Sequence, residues 1–296
     1  MPISRTDISF RADGNTSISG WLFLPEGAGP HPAVTMSPGF GGTIYHGLEP
    51  FARAFAEAGF AVLLHDHRGF GHSAGEPRQD VDPWRQISDW RRAVSFLETV
   101  PEVDSTRIGL WGTSYSGGHA LILGATDHRL RAVVAQVPTI SGYEQALRRI
   151  SAKLLPDVDE ALAQDDKAQL NGGPGYQALV STDPEVPAAY RSKDAVDFML
   201  RPVPEGAWEN KVTLRSSQFA RMYEPGAFIT RVSPKPLMLI LAQQDETTPT
   251  DLALAAYARA PEPKRLVMVP GVHYDIYVAQ RHAAIAAATE WFREHL

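Results

Sequence analysis

Short, continuous apolar runs that alternate with longer stretches of helical periodicity constrain this chain more than anything else in it. Residues 33–36, 60–64, 107–111, 132–137, 237–241 and 266–269 are such runs. They are too short for helices and lack the polar alternation of a strand with one face in water. Between them, Leu48, Phe51, Phe55 and Ala58 recur at helical spacing and stop at Gly59, and Ile87, Trp90, Val94 and Leu97 share one face of a predicted helix over 83–98. Further helices are predicted over 116–125, after Pro249, and from about Ile276. Strands buried on both faces and joined by helices predict an α/β fold, a mostly parallel sheet with helices on both faces. Residues 7–24 differ. Ile8 and Phe10 alternate with polar residues, Asp13-Gly14-Asn15 supplies a turn, and Ile18, Trp21 and Phe23 resume the alternation, which reads as an antiparallel hairpin.

The rhythm breaks between about residues 139 and 232. That stretch is rich in charge and punctuated by Gly172-Gly173-Pro174-Gly175 and by Pro184, Pro187, Pro202 and Pro204. Weak helices are predicted over 143–154, 157–169 and 212–222. Residues 1–138 and 233–296 are therefore expected to form one core, and 139–232 a mainly helical insertion.

Composition narrows the chemistry. Among 296 residues there is no cysteine, which excludes disulfides, thiolate metal sites and a cysteine nucleophile. The net charge is −6 with no basic cluster, so nucleic acid is not an expected partner. No apolar signal-peptide core follows Met1-Pro2-Ile3-Ser4-Arg5, and no run of about 18 apolar residues occurs, so the expectation is a cytoplasmic protein with no membrane span. The loop Gly39-Phe40-Gly41-Gly42 lacks both the dinucleotide fingerprint and a P-loop lysine, and His65, Asp66 and His67 lack metal-ligand spacing. No cofactor and no metal are expected.

The main chemical signal is Gly112-Thr113-Ser114-Tyr115-Ser116-Gly117-Gly118, set between the apolar run ending at Trp111 and a predicted helix. A serine on so sharp a turn is lifted clear of the sheet, and small residues two places to either side let strand and helix approach. Gly112 fills the first place and Ser116 the second, where glycine is usual. Acyl transfer builds negative charge on a carbonyl oxygen, and a preorganised N–H aimed at it lowers the barrier by about 3–4 kcal/mol. Tyr115, next after the serine, is one candidate donor; Phe40, in the Gly-rich loop after residues 33–36, is the other.

Serine needs a base, and the base an orienting acid. Of ten histidines, His273 lies just after the last predicted strand, in Pro270-Gly271-Val272-His273-Tyr274-Asp275, at the carboxyl edge of the sheet where α/β sites form. His31 and His128 sit in polar connections, His282 and His295 on the last helix, and His119 behind the serine. His46 follows the Gly-rich loop and is a candidate substrate contact. The acid is read as Asp245, in Gln243-Gln244-Asp245-Glu246-Thr247-Thr248-Pro249, with Glu246 and Asp251 as competitors.

Together, Pro38-Gly39-Phe40-Gly41-Gly42, Asp66-His67-Arg68-Gly69-Phe70-Gly71-His72-Ser73, the Gly112-to-Gly118 turn, Asp245 before Thr248-Pro249, and Gly271-Val272-His273 resemble the α/β-hydrolase superfamily. The nearest branch is the dienelactone-hydrolase-like and Xaa-Pro-dipeptidyl-peptidase-like serine acyl hydrolases. The resemblance covers about residues 17–138 and 234–294. It implies the α/β-hydrolase fold, triad members in the order Ser, Asp, His, and a cap in the place of 139–232. Dienelactone hydrolases proper carry a cysteine nucleophile, which this chain lacks. Within the cap, Tyr143, Trp208 and Tyr223 are candidates to line an acyl or alcohol pocket, with Tyr176, Tyr190, Phe198 and Phe219 as further aromatics.

The expected reaction is two-step hydrolysis of a carboxylic ester or related acyl bond in a small molecule, through a Ser114 acyl-enzyme. Lactones and thioesters are open. The same triad also serves carbon–carbon bond hydrolysis and cleavage of amides next to proline. A non-catalytic binding protein on this fold ranks last, because all three triad candidates are present. Edge strands leave a homodimer open.

Overall fold

The computed structural model describes residues 2–296; Met1, the first residue of the expected core, lies outside them. β1 (Ile3–Arg11) and β2 (Ser17–Pro25) form the expected hairpin around a 3-10 turn at Asp13–Asn15. The core continues with β3 (His31–Ser37), α1 (Glu49–Glu57), β4 (Ala61–His65), α2 (Pro83–Leu97), β5 (Val103–Thr113), α3 (Tyr115–Thr126) and β6 (Leu130–Gln136). An intervening segment holds α4 (Gly142–Arg149), α5 (Leu155–Ala168), β7 (Tyr176–Val180), β8 (Ala188–Tyr190), α6 (Lys193–Met199), β9 (Val212–Thr213) and α7 (Leu214–Arg221). The core resumes with β10 (Leu237–Ala242), α8 (Thr250–Arg259), β11 (Lys264–Val269) and α9 (Arg281–His295).

Eight strands form the main sheet, in the order β1-β2-β4-β3-β5-β6-β10-β11. The six from β4 to β11 run parallel, while β2 joins β4 antiparallel and carries β1 at the edge. The parallel strands read as continuous apolar runs because both faces are covered: every residue of β4 and of β10 is buried. α1 buries Phe51, Ala52, Phe55 and Ala56 along one stripe. α2 starts where the Asp82 carboxylate accepts the Trp84 and Arg85 N–H groups, and Pro83 needs no acceptor of its own. α3 is buried from Tyr115 to Gly124, which suits a helix apolar nearly all round.

Two expectations change. The last helix begins at Arg281, not near Ile276, which sits in a 3-10 turn over His273–Tyr277. There the Asp275 carboxylate accepts the Val272 N–H (2.9 Å) and the Asp275 carbonyl accepts those of Val278 and Gln280, closing the turn before a helix can propagate. The intervening segment also adds a small sheet, β8-β7-β9, to its helices. β8 and β9 are too short for side-chain periodicity to reveal. No helix among the described residues is long and apolar enough to cross a membrane.

Candidate active site

β5 ends at Thr113 and α3 begins at Tyr115, so Ser114 alone makes the turn. Its φ of +55° and ψ of −120° lie where a side chain pays a steric cost. The surroundings hold it there. Its N–H donates to Gln136 O (2.8 Å), and its carbonyl accepts from Gly117, Gly118 and Thr139. Gly112 is required because a Cβ at this position would lie 2.1 Å from Ser116 O.

His273 stands at the carboxyl end of β11 and Asp245 at that of β10, and both are buried. His273 Nε2 lies 3.1 Å from Ser114 Oγ, and Nδ1 lies 2.7 Å from Asp245 Oδ2. An ionised carboxylate only accepts, so Nδ1 carries the proton and Nε2 is left to accept from the serine. Thr248 fixes the acid: its N–H donates to Asp245 Oδ1 (2.8 Å), and its hydroxyl lies 2.9 Å from Oδ2 and from Val137 O. Val137 is itself a β-branched residue at φ +37°, an outlier of the kind found at functional sites. The rival carboxylates are elsewhere. Glu246 is exposed, and Asp251 forms an exposed two-bond ion pair with Arg148 (2.6 and 2.9 Å).

The two candidate oxyanion donors are left without an acceptor for a geometric reason. In a trans peptide the N–H and the preceding C=O point in opposite directions. Gly39 O is engaged by Gly42 N–H (3.2 Å) and Ser114 O by the α3 amides, which turns the Phe40 and Tyr115 N–H groups the other way. No acceptor takes either one among the described residues. The loop can come this close only with glycine at 39, where a Cβ would stand 2.9 Å from Ser114 Cβ.

Ser116, in the place where glycine is usual, does more than stay small. Its hydroxyl donates to Pro38 O (2.5 Å) and lies 2.9 Å from His67 Nε2, which also approaches Pro38 O and Ser37 Oγ at 3.1 Å. This buried cluster ties the Gly-rich loop to α3 and to the turn after β4. Burial pushes the His67 imidazole down to about 3, so it stays neutral. Other buried polar groups near this cluster are engaged as well. Asp66 Oδ1 accepts the Ile44 N–H (2.8 Å), and burial raises its carboxyl to about 7. His65 packs edge-on against Phe10 and Trp90. His119 bonds Tyr223 Oη and Gln86 Oε1.

A small pocket of about 40 Å³ adjoins the triad, lined by Ser114, His273, His46, Met199, Tyr274 and Tyr277 among others. A larger cavity of about 500 Å³ is lined by Phe40 and Tyr115 but not by Ser114 or His273. Of the four predicted substrate contacts, His46 lines the small pocket. Its Nδ1 accepts the Thr43 N–H (3.0 Å) and its Nε2 faces Met199 O (3.3 Å), while burial lowers the ring to about 4. Tyr143 is 54% exposed and lines neither space. Trp208 and Tyr223 line neither as well: Trp208 Nε1 donates to Gly41 O (2.8 Å), and Tyr223 is buried 4.9 Å from the Tyr115 ring. Among the further aromatics, Tyr190 and Phe198 reach the pocket. Sequence reasoning missed Thr248, Val137 and His67. Thr248 alone left a signal, as a hydroxyl three residues after a candidate acid.

The family described as X-Pro dipeptidyl-peptidase (S15 family) matches residues 13–275. The chain is similar to a thiohydrolase of Eupenicillium brefeldianum, with 29% identity over 295 residues covering 97% of this chain and 93% of the relative. It is similar to the quorum-quenching protein AidA of Acinetobacter baumannii (strain MDR-ZJ06), with 29% identity over 281 residues covering 95% and 91%. The crystal structure of the α/β hydrolase GrgF from Penicillium sp. sh18 matches with a TM-score of 0.84 at 28% identity, covering 99% of each chain.

Proposed function

We propose that this chain, which belongs to the X-Pro dipeptidyl-peptidase (S15) family of serine hydrolases on the α/β-hydrolase fold, cleaves a carboxylic ester or thioester through a Ser114 acyl-enzyme. The observation that carries the reading is the hydrogen-bonded series Ser114 Oγ, His273, Asp245 beside two unengaged N–H groups. His273 Nε2 takes the Ser114 proton as Oγ attacks the carbonyl carbon. The Phe40 and Tyr115 N–H groups hold the oxyanion, and Asp245 stabilises the imidazolium. His273 then gives the proton to the departing oxygen or sulfur. Water, deprotonated by the same nitrogen, attacks the acyl-enzyme and releases the acid. Residues 139–232 act as a cap over this centre.

The name of the thiohydrolase relative supports including thioesters. Esters and thioesters rank ahead of X-Pro peptides because an alcohol or thiol leaves more readily than an amide nitrogen.

The test is hydrolysis of p-nitrophenyl acetate, butyrate and octanoate, and of S-ethyl thioacetate, by the wild type and Ser114→Ala. The expected loss in kcat is on the order of 10⁶. Equal activity in both proteins would remove Ser114 as the nucleophile.

A further inference from the structure

The two spaces beside Ser114 differ more than tenfold in volume, about 40 against about 500 Å³, and largely different residues line them. The small one is lined by Ser114 and His273 themselves. The large one is lined by neither; it touches the centre through Phe40 and Tyr115, the two oxyanion donors, and through Thr247 and Thr248. Phe40, Tyr190 and Thr247 border both, and the Tyr190 ring stands 5.8 Å from that of Phe40.

The tetrahedral carbon formed on Ser114 has four substituents, and three of their directions are fixed by chemistry. One is Ser114 Oγ. One is the oxyanion, which points at the Phe40 and Tyr115 amides. The third is the leaving atom, which must face His273 Nε2 because it takes its proton there. The acyl substituent has the remaining direction. The space on the His273 side is the small pocket, so the acyl group runs past the oxyanion donors into the large cavity.

One wall of that cavity is apolar. Leu154, Val158, Ala161 and Leu162 line it at helical spacing from the start of α5, with Ile150 beside them, and charged groups, Arg149 and Asp157 among them, complete the lining. Of these, only Leu162 is buried by protein; Leu154 remains 55% exposed. An amphipathic helix ordinarily turns its apolar stripe onto a core. Here the stripe faces a cavity within the usual size range of ligand sites, roughly 300–1,000 Å³.

We propose, resting on the acyl-hydrolase reading above, that the cavity beneath α4, α5 and α7 is the acyl site and the pocket beside His273 the leaving-group site. The substrate class is then an ester or thioester that joins a medium-length, largely apolar acyl group to a small alcohol or thiol.

Ethyl octanoate and octyl acetate test this, because they are isomers with the same ester bond and differ only in which side carries the long chain. With proton release followed in a pH-stat, wild-type kcat/KM is expected to favour ethyl octanoate at least tenfold. Ala161→Trp, and Val158→Phe as a second filling variant, are expected to abolish that preference through a fall of at least tenfold in kcat/KM for ethyl octanoate. Neither residue touches the triad or the oxyanion donors. Preference for octyl acetate, or an unchanged preference for ethyl octanoate in both filled variants, would overturn the assignment. So would a wild type that cleaves S-ethyl thioacetate but neither isomer. Failure on S-ethyl thioacetate as well would overturn the acyl-hydrolase reading, and the assignment with it.

Discussion

Replacing Asp245 by asparagine sets two hydrogen bonds against each other, and the structure decides which one survives. Oδ1 accepts the Thr248 N–H at 2.8 Å, while Oδ2 accepts His273 Nδ1–H at 2.7 Å. An asparagine has one acceptor oxygen and one donor nitrogen for these two places. With the oxygen toward His273, its NH₂ would confront the backbone N–H of Thr248, a buried donor that cannot change its nature. With the oxygen toward Thr248, the NH₂ faces His273 Nδ1, which then becomes the acceptor. The imidazole proton moves to Nε2, and Nε2 no longer accepts from Ser114. The fold is preserved and the tautomer is wrong. The same change of tautomer in a serine protease triad lowers kcat about 10⁴-fold, or about 5 kcal/mol of transition-state stabilisation. The expected outcome for Asp245→Asn is therefore a loss of about 10⁴ in kcat on p-nitrophenyl butyrate, with little change in KM or melting temperature. Thr248→Val removes the hydroxyl shared by Oδ2 and Val137 O, and about tenfold at most is expected. A loss under tenfold for Asp245→Asn in a protein of unchanged stability would refute the claim that Asp245 orients His273.

Three further outcomes are expected. Ser116→Ala removes the hydroxyl shared by Pro38 O and His67, so the oxyanion loop loosens: stability falls by about 1–2 kcal/mol and kcat by about tenfold with KM nearly unchanged, whereas a lower melting temperature at unaltered kcat would make the cluster merely structural. Glu246→Gln leaves kcat within twofold, since the side chain is exposed; a triad-sized loss would make it the acid in place of Asp245. Stability is expected to fall steeply in acid. Burial holds His46, His65, His67 and His119 below the usual histidine range, so the unfolded chain takes up four protons below about pH 6.5 that the folded chain does not. Asp66 runs the other way, because the folded chain keeps its proton up to about pH 7. The balance of about three protons near pH 5 corresponds to about 4 kcal/mol per pH unit, read from urea unfolding at pH 5 and 6, and a flat profile there would mean these histidines ionise in the folded protein.

What the sequence disclosed about the site followed from position along strands. Ser114, Asp245 and His273 each stand where a run of apolar residues stops, and in a parallel sheet all such ends lie on one edge, so three residues distant in sequence share a place. The apolar runs themselves report burial on both faces, which is why β4 and β10 were legible. Contacts that depend on rotation about the chain were not. Tyr143 and Tyr190 are both aromatics of the same charged stretch, yet one projects into solvent and the other borders both spaces; nothing in composition separates them. The partnership of Ser116 with His67 joins residues 49 positions apart through side chains that bury no large apolar area and leave no periodic trace. β9, with two residues, has no period to read. The start of the last helix was misplaced because its apolar spacing begins earlier than its hydrogen bonding, which the Asp275 turn delays.

The intervening segment leaves the sheet after β6 and returns before β10, two strands that are neighbours in the sheet. Its base is closed where Gly142 N–H donates to Tyr223 O (2.8 Å). Some eighty residues thus leave and return at one place, and side chains fasten them elsewhere: Thr213 and Arg215 bond Asp80, and Trp208 donates to Gly41 O. Every strand whose end carries Ser114, Asp245 or His273 is complete without them. A longer or shorter segment would change the walls of the large cavity and leave those strand ends at their spacing, so the two stretches of chain are free to diverge at different rates.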